Sequence, residues 1–160
     1  MKRFYLPALL LSFALGAAVA LSVASMAGVG GPLTPARAKG TLHVVEHAVT
    51  DTVVDVGKKG DSLGDDLAFG NPVYDAANKK QVGRDQGHCV RTVAGKSWEC
   101  FWSLLLPAGQ ITVEGPFYDA ADSTLTVTGG TGAYRGAHGQ MALHARNARG
   151  TEYDFTYDLD

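Results

Sequence analysis

Basic charge is scarce in this chain. Its 160 residues hold 14 Lys and Arg against 16 Asp and Glu, a formal net charge of −2. No basic stripe runs along any segment, so neither nucleic acid nor an anionic membrane surface is an expected partner. Cysteine is scarce too. Cys89 and Cys100 are too few for a disulfide-dense scaffold and enough for one bridge. Gly-x-Ser-x-Gly is absent, as is any other recognisable nucleophile arrangement. Helical periodicity is absent beyond the first 38 residues, which points away from helical folds.

The long apolar run is confined to the start. Lys2 and Arg3 precede an almost wholly apolar Phe4–Val29, and Gly30, Gly31, Pro32 and Pro35 then break any helix. Ala36-Arg37-Ala38 has the small-x-small pattern of a signal-peptidase site. The expected division is an export segment at 1–38 and a β-barrel domain at 39–160. The competing reading is an uncleaved tether through residues 4–29, a run long enough to span a bilayer. Either places the remainder outside the cytoplasm, and secretion is the expectation. Removing Lys2, Arg3 and Arg37 from the 14 basic residues leaves 11 against 16 acidic. The remaining 122 residues suffice for one modest core.

That remainder reads as strands. Leu125–Thr128 and Thr151–Leu159 alternate apolar and polar residues, and Ile111–Phe117 does the same before its Gly-Pro step. Eight strands are expected, starting near 41, 66, 81, 97, 110, 124, 139 and 151, in an all-β, eight-stranded antiparallel barrel. Asn71-Pro72 should mark an edge, bulge or bend, because proline cannot donate to a ladder. Gly57–Asp66 should be a mobile polar loop. Ala94-Gly95 is a hairpin turn, and centring it there sets Cys89 opposite Cys100. A disulfide is therefore expected. A free Cys89 nucleophile is the alternative.

Two tempting motifs fail on spacing. The loop Gly129–Gly139 has Arg135 where a dinucleotide fingerprint needs glycine, and no Gly-Lys-Ser/Thr is present. Its glycines are expected to serve a tight connection at positive φ. His43 and His47 lie roughly 13 Å apart on one strand face. His88, His138 and His144 show no ligand spacing, so no metal is expected.

Glu46 is the residue that stands out. Within Thr41–Thr50 it shares a face with Leu42, Val44 and Ala48. A carboxyl on an aliphatic face loses hydration and resists ionising.

The segments GNPVYDAANKKQVGRDQGHCVRT, GQITVEGPFYDAADSTLTVTGGTGAYRGAHGQM and TEYDFTYDL resemble the allene oxide cyclase family of plants. More distantly they resemble the dirigent proteins. The resemblance spans about residues 41 to 159 and is most specific from Val113 to Gly139. It implies a calycin-type barrel, often a homotrimer, with a small cofactor-free cavity. In that family the cavity folds an unsaturated fatty-acid epoxide for ring closure. The resemblance assigns Glu46, Asn71 (holding a water) and Cys89 as the polar groups. Leu42, Val44, Phe69 and Phe117 are expected on the cavity wall, and Phe117 stands where the family has tyrosine. Two features depart from the plant pattern: Cys100 offers Cys89 a partner, and the start is not a transit peptide. The expected partner is a small hydrophobic molecule whose cyclisation or coupling is steered without cofactor. A non-catalytic carrier of a hydrophobic ligand and a structural barrel are the alternatives.

Overall fold

The computed structural model describes residues 38–160. The export segment expected at 1–38 lies, but for Ala38, outside the described residues. Ten hydrogen-bonded strands follow: β1 (Gly40–His47), β2 (Thr52–Val54), β3 (Asp66–Phe69), β4 (Pro72–Asp75), β5 (Gln81–Val93), β6 (Ser97–Leu106), β7 (Gly109–Tyr118), β8 (Ser123–Gly130), β9 (Gly139–Ala145) and β10 (Glu152–Leu159). They make eight staves. β1 and β2 form one bent stave, and β3 and β4 form the next, because β1 pairs with β4 and β2 with β3. The order β5-β4-β1-β10-β9-β8-β7-β6 closes through β5–β6, every pairing antiparallel. The fold is an all-β, closed eight-stranded antiparallel barrel. Closure leaves an unpaired edge only on the three-residue β2, which pairs with β3 alone.

Alternation decides what faces inward. Even residues of β6 and odd residues of β7 to β10 face inward, as the pleat requires: Trp102, Leu104, Ile111, Val113, Leu125 and Tyr157 are all buried in the lumen. On β5 the inward set is Asp85, Cys89 and Arg91, with Gly87 between them. A Cβ on Gly87 would overlap the Phe101 carbonyl and Trp102 Cβ, so glycine lets β6 lie close there. The β5–β6 hairpin has the expected register from Arg84↔Leu105 to Arg91↔Trp98, including Cys89↔Cys100. A shift between Arg91 and Val93 then moves the turn by one residue.

The first strand ends earlier than its alternation suggests. It stops at His47 and resumes at Thr52. The backbone N–H groups of Val49 and Thr50 both donate to Asn71 Oδ1, at 3.0 and 2.9 Å. Two successive amides on one acceptor cannot also sit on a ladder, so the stave bends. Asn71 itself separates β3 from β4, which is the bend expected beside Pro72. The glycine segment is a tight connection. It holds one 3-10 turn, Gly132–Tyr134, with positive φ at Gly132, Gly136 and Gly139.

The loop expected to be mobile is instead tied down. Asp65 is 2% exposed and accepts from Val56 N at 2.9 Å, Ser62 N at 2.8 Å and Ser62 Oγ at 3.2 Å. These bonds hold its carboxyl below the usual range. Arg91 anchors the same loop. Its Nε donates to Asp61 at 2.6 Å, and its Nη1 donates to both oxygens of Asp119 at 2.8 Å. Its guanidinium also lies 4.0 Å from the Trp98 ring centroid. One cation thus joins β5, the 57–65 loop and the β7–β8 turn. Polar composition suggested mobility because it shows the loop's solvent preference and not its internal acceptors. Arg91→Ala should cost about 2–3 kcal/mol. It should also speed tryptic cleavage at Lys58 and Lys59 by roughly tenfold or more, since loop opening governs that cleavage. Unchanged cleavage would show that Arg91 does not hold the loop.

Candidate functional site

The end of the barrel carrying the β5–β6, β7–β8 and β9–β10 turns opens into a small pocket. Its walls are Glu46 and Asp51, the disulfide of Cys89 and Cys100, the rings of Phe69, Trp102, Phe117, Tyr153 and Phe155, and Leu67 and Leu143. The cavity measures about 50 Å³. Sites for drug-sized ligands are several-fold larger, so a ligand must push side chains aside. The movable pair is Phe117 and Tyr153, edge to face at 5.9 Å. Beyond them lies a vestibule of about 560 Å³ between the β7–β8 and β9–β10 turns, which shares Phe117, Leu143 and Tyr153.

Glu46 stands at the top of β1 and is 5% exposed. Asn71 Nδ2 donates to its Oε1 at 2.8 Å and to Asp51 Oδ1 at 2.7 Å. Behind Glu46 stands Asp85, fully buried, whose Oδ1 accepts from Asn71 N at 3.2 Å. The carboxyls of Glu46 and Asp85 lie close enough for each to shift the other's titration, and Asp85 Oδ2 is buried with no hydrogen-bond donor among the described residues. Two ionised carboxylates there would repel, and neither would have a proton to donate. One proton held between the pair would relieve that repulsion and give Asp85 Oδ2 a partner. Burial first, then the Asp85 charge, lifts Glu46 well above its ordinary value. Burial lifts Asp85 to about 7. Burial, with the Glu46, Asp51 and Asp119 charges, lifts the Tyr153 phenol to about 12. Deeper in the lumen, burial also raises the Tyr157 phenol.

The expected site residues divide. Glu46, Asn71, Cys89, Phe69 and Phe117 gather at one mouth. Leu42 and Val44 do not reach it. They share Glu46's face, but each pair of residues along a strand moves about 7 Å. Both line a different cleft with Val82, Leu106 and Tyr134 at the opposite end. Cys89 lines the pocket as half of a disulfide with Cys100, Cα atoms 4.0 Å apart, so its sulfur is not the thiol that the resemblance assigned. Asn71 also differs from its assigned role of holding a water. Its Nδ2 hydrogens both go to carboxyl oxygens, and its Oδ1 accepts from Val49 N, Thr50 N and Thr50 Oγ1. No valence is left for a water, so Asn71 is a brace. Three donors on one side and two acceptors on the other also fix which way the amide points.

Sequence reading missed Asp51 and Asp85. Asp85 was within reach: it lies four residues from Cys89 on one strand, hence on the same face. Asp51 was not, because the bend made by Asn71 brings it to the rim of the pocket, where it stays exposed. The histidines of β1 serve the exterior, His43 Nε2 bonding Asp154 at 2.8 Å and His47 Nε2 bonding Asn78 at 2.7 Å.

The ring of eight staves with an acid-walled pocket at one mouth defines a closed antiparallel barrel built around a small cavity. The family described as allene oxide cyclase matches residues 45–148, and the chain belongs to that family. Among solved structures it is 26% identical to a pyocyanin demethylase, covering 75% of this chain and 99% of that one at a TM-score of 0.65. A pterocarpan synthase dirigent protein matches at 17% identity, over 74% of this chain and 91% of that one, TM-score 0.59. A Diels-Alderase from Streptomyces koyangensis matches at 15%, over 76% and 69% of the two chains, TM-score 0.61. The last two likenesses concern the fold alone.

Proposed function

We propose that this chain is an exported, cofactor-free barrel that binds a small, hydrophobic, reactive molecule and steers its cyclisation or coupling. The observation that carries the reading is Glu46: a buried acid on the pocket wall, braced by Asn71 and close to Asp85. Glu46 presents the proton held between the two acids to an oxygen of a conjugated guest. Asn71 Nδ2 stays hydrogen-bonded to the carboxylate left behind, and the proton returns on product formation. The reaction is then an isomerisation with no net change of mass. Positioning between Phe69 and Phe117 supplies the selectivity, and the acid stabilises charge as it develops. Family membership supports the cyclase chemistry, and the leader-like first 38 residues with the bridged cysteines support export. The family resemblance also carries a homotrimer, and residues 4–29 carry the alternative of a membrane tether.

The disulfide favours a second reading, an extracellular carrier, since the family's thiol is withdrawn from the pocket. One experiment separates the two. Small-molecule extracts are incubated with the protein and compared by untargeted mass spectrometry. A cyclase converts one component into an isomer of equal mass, and Glu46→Gln abolishes the conversion while the protein melts as before. A carrier retains a component unchanged through native purification. Conversion that survives in Glu46→Gln removes the acid from the mechanism.

A further inference from the structure

The pocket's charge is one-sided. Its walls carry two carboxyl groups, Glu46 and Asp51, and no Lys, Arg or His. Asp85 stands directly behind Glu46. The cations nearest the rim are already engaged. Arg91 is held by Asp61 and Asp119, and Arg146 by Asp154 at 2.7 Å and Glu152 at 3.5 Å. An anionic guest would enter a low-dielectric space against like charge with no counter-ion. That is the arrangement that raises carboxyl pKa values, and it disfavours an added anion for the same reason. Tyr153 senses this field, since Glu46, Asp51 and Asp119 all oppose ionisation of its phenol.

The remaining walls are largely aromatic: Phe69, Trp102, Phe117, Tyr153 and Phe155. Aromatic faces attract cations through their quadrupole, by about 2 kcal/mol when the pair is desolvated. The protein already holds one cation this way at the rim. The Arg91 guanidinium, itself flat, lies on Trp98 at 4.0 Å with Asp119 beside it. We propose that the pocket beside Glu46 takes a planar, positively charged aromatic molecule, and not an anionic lipid. The guest enters from the vestibule by parting Phe117 and Tyr153, stacks on the inner rings and sets its positive end against Asp51 and Glu46. This rests on the reading that the pocket binds a small molecule, and it narrows that reading to one class.

Three probes with closely related ring systems and different charge test it: 10-methylacridinium, neutral acridone and anthracene-9-carboxylate. Binding is followed by probe fluorescence anisotropy at pH 7.5 and low salt. The cation should bind at least roughly tenfold more tightly than the anion, as one partly screened charge contact of ~1.4 kcal/mol requires. Asp51→Asn keeps the Oδ1 that accepts from Asn71, so it should fold. It should weaken the cation at least fivefold and leave acridone unchanged. Equal or tighter binding of the anion overturns the inference, as does cation binding that is indifferent to Asp51→Asn. If acridone or the anion binds without any preference for charge, only this inference falls. If none of the three binds, the small-molecule reading falls with it.

Discussion

Asp85→Asn should make the protein more stable at pH 8, by about 2 kcal/mol or roughly 5 °C in Tm. The sign follows from the two carboxyls. In the unfolded chain both ionise near pH 4. In the folded barrel Asp85 holds its proton to about 7, and Glu46 is raised well above its ordinary value. Between those limits the folded state binds more protons than the unfolded one, so stability falls as pH rises. The loss starts above pH 4 and runs through 7, and the Glu46 contribution carries it further. Asparagine removes the charge and keeps an oxygen for Asn71 N–H. Its amide hydrogens can then donate to the Glu46 carboxylate. The wild type should lose stability between pH 5 and 9, and Asp85→Asn should flatten that slope. On the acid side the depressed carboxyls of Asp65 and Asp75 act oppositely, and their contribution is lost as pH falls below 4. Thermal melts at pH 5, 7 and 9 suffice. A wild-type curve flat over that range, or a less stable variant at pH 8, would refute the shared-proton account.

Much of the architecture was legible because β structure writes itself locally. Period-two alternation fixed the inward set on β10, where Tyr153, Phe155, Tyr157 and Leu159 all point as read. Hairpin arithmetic placed Cys89 against Cys100, because a short turn leaves few registers. Glu46 was legible as an acid in the wrong place. Its partners were not, since Asn71 and Asp85 come to it from the neighbouring stave and the one beyond. Contacts of that kind depend on which strands pair and leave no local pattern. Leu42 and Val44 were misplaced for a related reason. Alternation says which face a residue is on and says nothing about which end of the barrel that face serves. The family resemblance supplied the identity of Asn71, and the geometry then changed its role.

That changed role predicts the largest effect of any single substitution. Asn71 is fully buried, and its side chain makes five hydrogen bonds. Its amide oxygen bends the first stave, and its amide nitrogen keeps the Glu46 and Asp51 carboxyls apart from each other. Asn71→Ala removes five hydrogen bonds and leaves the buried Glu46 oxygen without its donor, while the Val49 and Thr50 amides and the Asp51 carboxyl belong to exposed residues that water can reach, so a loss of about 3 kcal/mol is expected. Asn71→Asp is the more telling variant. Its shape is conserved and the three donors to Oδ1 are kept, yet it sets a further carboxyl among Glu46, Asp51 and Asp85. At pH 8 it should be no more stable than Asn71→Ala, because like charges are forced together without water. At pH 5 the added carboxyl can take a proton, restore one donor and recover much of the loss, whereas Asn71→Ala cannot. Melting both variants at the two pH values reads this directly. If Asn71→Asp is as stable as wild type at pH 8, the mouth tolerates another negative charge. In that case neither the proton shared by Glu46 and Asp85 nor a cation-seeking pocket would stand.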